Sequence, residues 1–221
     1  MVAIAEIVGF LDRYNALDLE RSPWPSYNED DGDLFQVDYR LSFPIRNQDI
    51  TDTWSNLVTS DFIAEIEDII RGGSPRSPQQ DVGSDVPEAP VWDICAWYQP
   101  IHNYPSSWGI YIKQECLEHI ARDIAGILSG SSLTIGLRAA AMETISVAFT
   151  LLYLHEHYHH KVETMGLRLT VVDRRPTYLP YRKKVYTRTF GTDECIEEAL
   201  ANASSYLRLN DPPKRSTRPH A

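Results

Sequence analysis

The strongest pattern in the chain is an apolar run over residues 139–154, where nonpolar side chains occupy almost every position. A helix that is apolar all round belongs inside a protein, so this run predicts a buried central helix. Arg138 and Glu143 near its start and histidines at its end leave it short of the ~20 apolar residues that a membrane span needs, so no membrane is expected. Apolar residues recur at helical spacing over 114–128, where Ser129-Gly130 ends the helix, and the long helix begins at Leu133. Residues 1–15 and 59–71 read as amphipathic helices, the second capped near Ser60. Alternation predicts strands over 34–41, 91–98 and 108–113, the last two separated by a turn with Asn103, Pro105 and Gly109. Residues 167–172 and 185–190 also alternate, and Pro176 and Pro180 lie between them, which predicts a hairpin. The fold class is therefore α+β, with a small antiparallel sheet preceding a buried helix.

Charge divides the chain of 221 residues unevenly. Residues 1–90 hold 18 acidic and 6 basic side chains, a net of −12, whereas residues 91–221 carry a net of +2. The asymmetry predicts an acidic N-terminal unit over 1–72, a linker rich in Gly, Ser and Pro over 73–90, a second unit over 91–209 and a flexible tail over 210–221. Residues 22–33 read as a loop rich in proline and acid. Arg168, Arg174, Arg175, Arg182, Lys183, Lys184 and Arg188 make the expected hairpin basic. That stretch is a solvated loop, a subsite for acidic substrates, or a dock on which the acidic first unit restrains the second. Nucleic acid is not expected, because the basic patch is local and no binding motif accompanies it. The first residues lack a basic leader, and Cys95, Cys116 and Cys195 are odd in number and widely spaced. That cysteine pattern predicts no disulfide framework and a reducing, cytoplasmic setting.

The chemistry concentrates where the apolar run ends. Four of the seven histidines fall between His155 and His160, and His155, Glu156 and His159 spell H-E-x-x-H. On a helix, His155 and His159 are one turn apart on one face, so both imidazoles can reach one metal ion, with Glu156 beside them to take a proton. Two neutral nitrogen ligands, a water and a carboxylate are what zinc-assisted hydrolysis of a carbonyl compound requires. An exposed polar helix end or an adventitious metal-binding cluster is the competing explanation. Zinc also needs a third protein ligand. Val162 and Met165 stand where the metzincin extension needs glycine and histidine, and Glu163 lies two turns along the axis from His155. Downstream, Glu198, Ala201 and Asn202 spell E-x-x-A-N, with Glu194 and Glu197 as rival ligands.

With His155, Glu156 and His159 followed by Glu198, Ala201 and Asn202, the chain resembles the gluzincins, the thermolysin-like clan of zincin metallopeptidases. The resemblance implies a zincin-like core and a Zn2+ ion held by His155, His159 and Glu198. It implies that Ala201 lets two helices approach closely and that Asn202 holds the outer N–H of a ligand histidine. It also implies a peptide or protein substrate extended along an edge strand, for which Gly109, Ile110, Tyr111 and Ile112 are candidates, with a plain core hairpin as the alternative reading of that stretch. Glu156 is then the general base, and the oxyanion donor is one of Tyr178, Tyr181, Tyr186, His157 and His160, with the tyrosines of the 178–186 loop preferred. A zinc-binding interaction module without turnover is the alternative, and the presence of Glu156 argues against it.

Overall fold

A computed structural model describes residues 4–18, 34–37, 58–74, 95–105 and 108–210. In chain order the elements are α1 (Ile4–Arg13), β1 (Leu34–Val37), α2 (Ser60–Ile70), β2 (Ala96–Gln99), β3 (Gly109–Lys113), α3 (Gln114–Leu128) and α4 (Leu137–Asp173). They continue with α5 (Tyr178–Tyr181), a π-helical turn (Arg182–Tyr186), α6 (Thr187–Thr189) and α7 (Ile196–Asn210). Residues 22–33 and the tail beyond 210 lie outside the described residues.

Helix α4 organises the rest. Ala141, Ile145, Ala148, Phe149 and Tyr153 are wholly buried, and they meet Phe62, Ile66 and Ile69 of α2, Leu117 and Ala121 of α3, and Ile110 and Ile112 of β3 in one hydrophobic core. By length and composition α4 could cross a membrane, and half of its most apolar stretch is buried inside the protein. Thr59, rather than Ser60, caps α2, its hydroxyl accepting from the Phe62 N–H at 3.2 Å. The sheet is antiparallel in the order β1-β3-β2, with Phe35 opposite Ile112 and Tyr98 opposite Ile110.

Several expectations need correction. Residues 167–172 do not form a strand, because α4 continues through them to Asp173. Their β-branched side chains favour extended structure only weakly, and adding a residue to an existing helix is favourable. Val171 and Val172 are exposed, so no sheet contact opposes the helix. The helix ends where Arg174 turns left-handed (φ 53°) ahead of Pro176. Residues 185–189 are likewise helical and Phe190 ends them, so there is no hairpin. Gly109, Ile110, Tyr111 and Ile112 are in the central strand β3, not at an edge, and β1 and β2 are the outer strands among the described residues.

Cys95 and Cys116 form a disulfide that ties the start of β2 to the first turn of α3, and Cys195 is free and buried. The cysteine argument for a reducing compartment therefore fails, since an odd count left one pair close in space. Nor do the two sides of residues 73–90 pack separately. Helix α2 shares the core of α3 and α4, and β1 pairs with β3. Charge separates these stretches along the sequence, but the apolar positions on both sides fill one core. Helix α1 packs through Leu11 near Ile101 and Leu167, and Asp18 just beyond it pairs with Lys183 of the basic stretch at 2.5 Å.

Gly166 sets the distance between α4 and α5. A Cβ at that position would lie 2.8 Å from Tyr178 Cβ and 3.2 Å from Tyr178 Cα. Gly166→Ala gains about 1 kcal/mol of helix propensity, while overpacking against a backbone atom costs about 1–3 kcal/mol. Chemical denaturation should therefore show a variant that is less stable than the parent, although alanine is the better helix former. A gain in stability would mean that α5 moves aside freely.

Candidate metal centre

The centre forms where α4 crosses α7. Their facing surfaces bring His155 and His159 of α4 against Glu197, Glu198 and Asn202 of α7. Ala201, fully buried, presents only a methyl group between these polar side chains. His155 Nδ1 donates to Asn202 Oδ1 at 2.9 Å, and His159 Nδ1 donates to Glu197 Oε1 at 2.6 Å. The acceptor oxygens fix the N–H on Nδ1 of each ring, which turns both Nε2 atoms inward. These lie 3.3 Å apart, with Glu198 Oε2 at 3.1 Å from His155 Nε2 and Glu198 Oε1 at 3.4 Å from His159 Nε2. The ligand atoms of His155, His159 and Glu198 all fall within 4.8 Å of one another. Two imidazole nitrogens and a carboxylate are donors that suit zinc.

Glu156 is 5% exposed, and its Oε1 lies 4.0 Å from His155 Nε2. Glu198, His155 and Glu156 line one cavity with Tyr98, Tyr178, Tyr181, Arg182, Tyr186 and the Ala96–Trp97 part of β2. The cavity volume is about 30 Å³. That is room for an ion and a water but not for a peptide side chain.

Charge in the centre follows from burial and close partners. Burial lowers the proton affinity of His159, but hydrogen bonds to Glu197 and Glu198 outweigh it and raise the pKa to about 10. His155 behaves alike, lowered by burial and raised more by Glu198 and Glu156. For Glu198, burial favours the neutral acid, and the histidines reverse this and hold it well below the usual carboxylate range. The centre thus sets the Glu198 carboxylate against a protonated His159, and a divalent cation can take the place of that proton.

Among the candidate oxyanion donors, Tyr178, Tyr181 and Tyr186 line the cavity. The Tyr181 hydroxyl donates to Glu197 Oε2 and that of Tyr186 to Glu198 Oε1, each at 2.5 Å. The Tyr178 hydroxyl makes no hydrogen bond among the described residues, and burial followed by the charge of Glu163 keeps it protonated. His157 and His160 are not in the cavity. They line a separate groove on another face of α4 with Lys161 and Arg168. Each step of one residue turns a side chain by about 100° on a helix, which carries both off the face shared by His155 and His159. Burial, followed by Lys161, lowers the His157 pKa to about 3.

Three features escaped the sequence. Glu197, considered as a ligand, instead orients His159, and only the position of α7 separates its role from that of Glu198. Arg182 faces the cavity and donates to Asn103 Oδ1 at 2.8 Å. Glu163, two turns beyond His155, is 2% exposed and accepts from the Tyr98 hydroxyl and from the His102 N–H at 3.1 Å. His102 Nδ1 also reaches it at 2.5 Å. A polar residue on the buried face of α4 was the available signal. By contrast, Glu194 is exposed and outside the centre.

In metal-free protein, a His159 pKa raised from 6.5 to about 10 means that the folded state holds this proton more tightly than the unfolded chain. The resulting stability is complete below pH ~6.5 and is lost as the pH rises toward 10. Thermal melts of chelator-treated protein should show a falling Tm over that window, and His159→Gln should flatten the fall. An unchanged slope in the variant would contradict the assigned proton. Comparison with known proteins identifies no relative: no family model, curated protein or solved structure matches the chain.

Proposed function

We propose that the protein is a zinc-dependent peptidase with a gluzincin-like centre in which His155, His159 and Glu198 hold the ion. The observation that carries this reading is the convergence of the two Nε2 atoms and Glu198 within 4.8 Å, while the outer nitrogen of each imidazole is hydrogen-bonded to α7. A polar helix end has no need of two oriented histidines buried against a carboxylate. Zinc bound there supplies a polarised carbonyl and a more acidic water.

The protein's own groups supply the remaining steps. Glu156, buried beside the histidines, takes the proton of the attacking water and returns it to the leaving amine. Its low exposure keeps that proton from bulk solvent. Tyr178, whose hydroxyl is not committed to a carboxylate, donates to the oxygen that gains negative charge. Asn202 and Glu197 hold the two imidazoles, and Tyr181 anchors Glu197 in turn. The substrate backbone pairs with β2, which borders the cavity and carries no strand on its other side among the described residues. The edge strand of the reading is thus β2 and not β3.

Metal content and hydrolysis of a quenched-fluorescent peptide library test this directly. The wild type should carry about one zinc per chain. Glu156→Gln should keep the zinc and lose about 10²–10⁴ in turnover. Glu198→Ala should lose zinc, and Glu194→Ala should keep it. Full turnover by Glu156→Gln would remove the base assignment, and zinc lost only in Glu194→Ala would make Glu194 the ligand.

Tyr178→Phe makes a separate claim. If this hydroxyl stabilises the transition state, kcat should fall about 10²-fold or more with KM little changed. A change confined to KM would make Tyr178 a wall of the cavity and no more.

A further inference from the structure

Helix α7 is amphipathic with its polar side facing inward. Glu197, Glu198 and Asn202 point toward α4, while Ile196, Leu200, Tyr206 and Leu207 are 71%, 47%, 66% and 65% exposed. Ala199 and Ala203 are exposed on the same side. Ile196, Leu200, Ala203 and Leu207 recur at i, i+4, i+7 and i+11, which places them in one narrow stripe about 16 Å long. Solvent-facing helices normally carry charge on such a stripe, and none is present here.

We infer that this outer face of α7 is a self-association surface that pairs with the same face of a second copy of the chain, antiparallel about a two-fold axis between Leu200 and Ala203. The stripe is self-complementary in that register. Ile196 meets the partner's Leu207, and the large Leu200 meets the partner's small Ala203, so ridges enter grooves in both directions. Exposed Asp193 and Glu194 precede the N-terminus of α7, and exposed Arg208 lies in its last turn. Antiparallel pairing brings the acidic end of each helix to the basic end of the other and opposes their dipoles. A parallel pair would place like charges together. The inference does not depend on the metal, because the stripe is on the side of α7 turned away from His155 and His159.

A single-helix interface is at the small end of specific contacts, so dissociation in the micromolar range is expected. Sedimentation of the full chain over about 1–100 µM should show the mass rising from 25.2 kDa toward twice that value. Leu200→Glu and Leu207→Glu should each weaken association about tenfold or more while leaving circular dichroism and metal content unchanged. Glu194→Arg should also weaken it, and adding Arg208→Glu in the same chain should restore it. A monomer at every concentration would overturn the inference. So would a dimer that both glutamate variants leave intact, which would place the contact on another face.

Discussion

Polar groups placed between two packed helices must find partners there, and this constraint shapes the centre. Helix α4 is mostly apolar and buried, yet one turn of it presents two imidazoles toward α7. An unsatisfied buried polar group costs about 1–3 kcal/mol, so α7 must supply acceptors at fixed places. Glu197, Glu198 and Asn202 do so, and Ala201 adds no bulk between them. In metal-free protein, protons hold this arrangement together. The same donors and acceptors suit a divalent ion, so orientation of the ligands precedes binding.

The surrounding structure extends the constraint. Glu163 joins α4 to Tyr98 on β2 and to the turn at His102, which holds β2 against the helix that carries His155 and His159. Trp108 Nε1 donates to the Tyr98 hydroxyl at 2.6 Å and fixes it from the other side. Tyr181 and Tyr186 tie the π-helical region to Glu197 and Glu198. Tyr98, Tyr181 and Tyr186 thus link β2, α5 and the π-helical turn to α4 or α7. Facing its polar residues inward leaves α7 with an apolar exterior.

How much of this was legible in the sequence depended on range. Periodicity marked α1, α2 and α3 to within a few residues, because each has one buried face and one polar face, whereas the strands expected over 91–98 and 108–113 overlap β2 and β3 although both are buried almost throughout. One turn of helix places i and i+4 together, which paired His155 with His159 and Glu198 with Asn202, and the resemblance to the gluzincins joined the two pairs. Residues 167–172 were misread because β-branched alternation is a local preference, and a helix already propagating overrides it. The order of the strands was not legible. Local pattern says nothing about whether 109–113 is central, and its pairing with residues 34–37 is long-range. The Cys95–Cys116 bond and the shared core of α2 were hidden for the same reason, as was the division of roles between Glu197 and Glu198.

The account's central claim is that His155, His159 and Glu198 form one metal site, and zinc X-ray absorption on the purified chain tests it most directly. It predicts two imidazole nitrogens and at least one carboxylate oxygen at roughly 2.0–2.2 Å, with one imidazole lost from the fit in His159→Ala. A zinc shell with fewer than two imidazoles, a shell unchanged in His159→Ala, or no zinc taken up at all would contradict it.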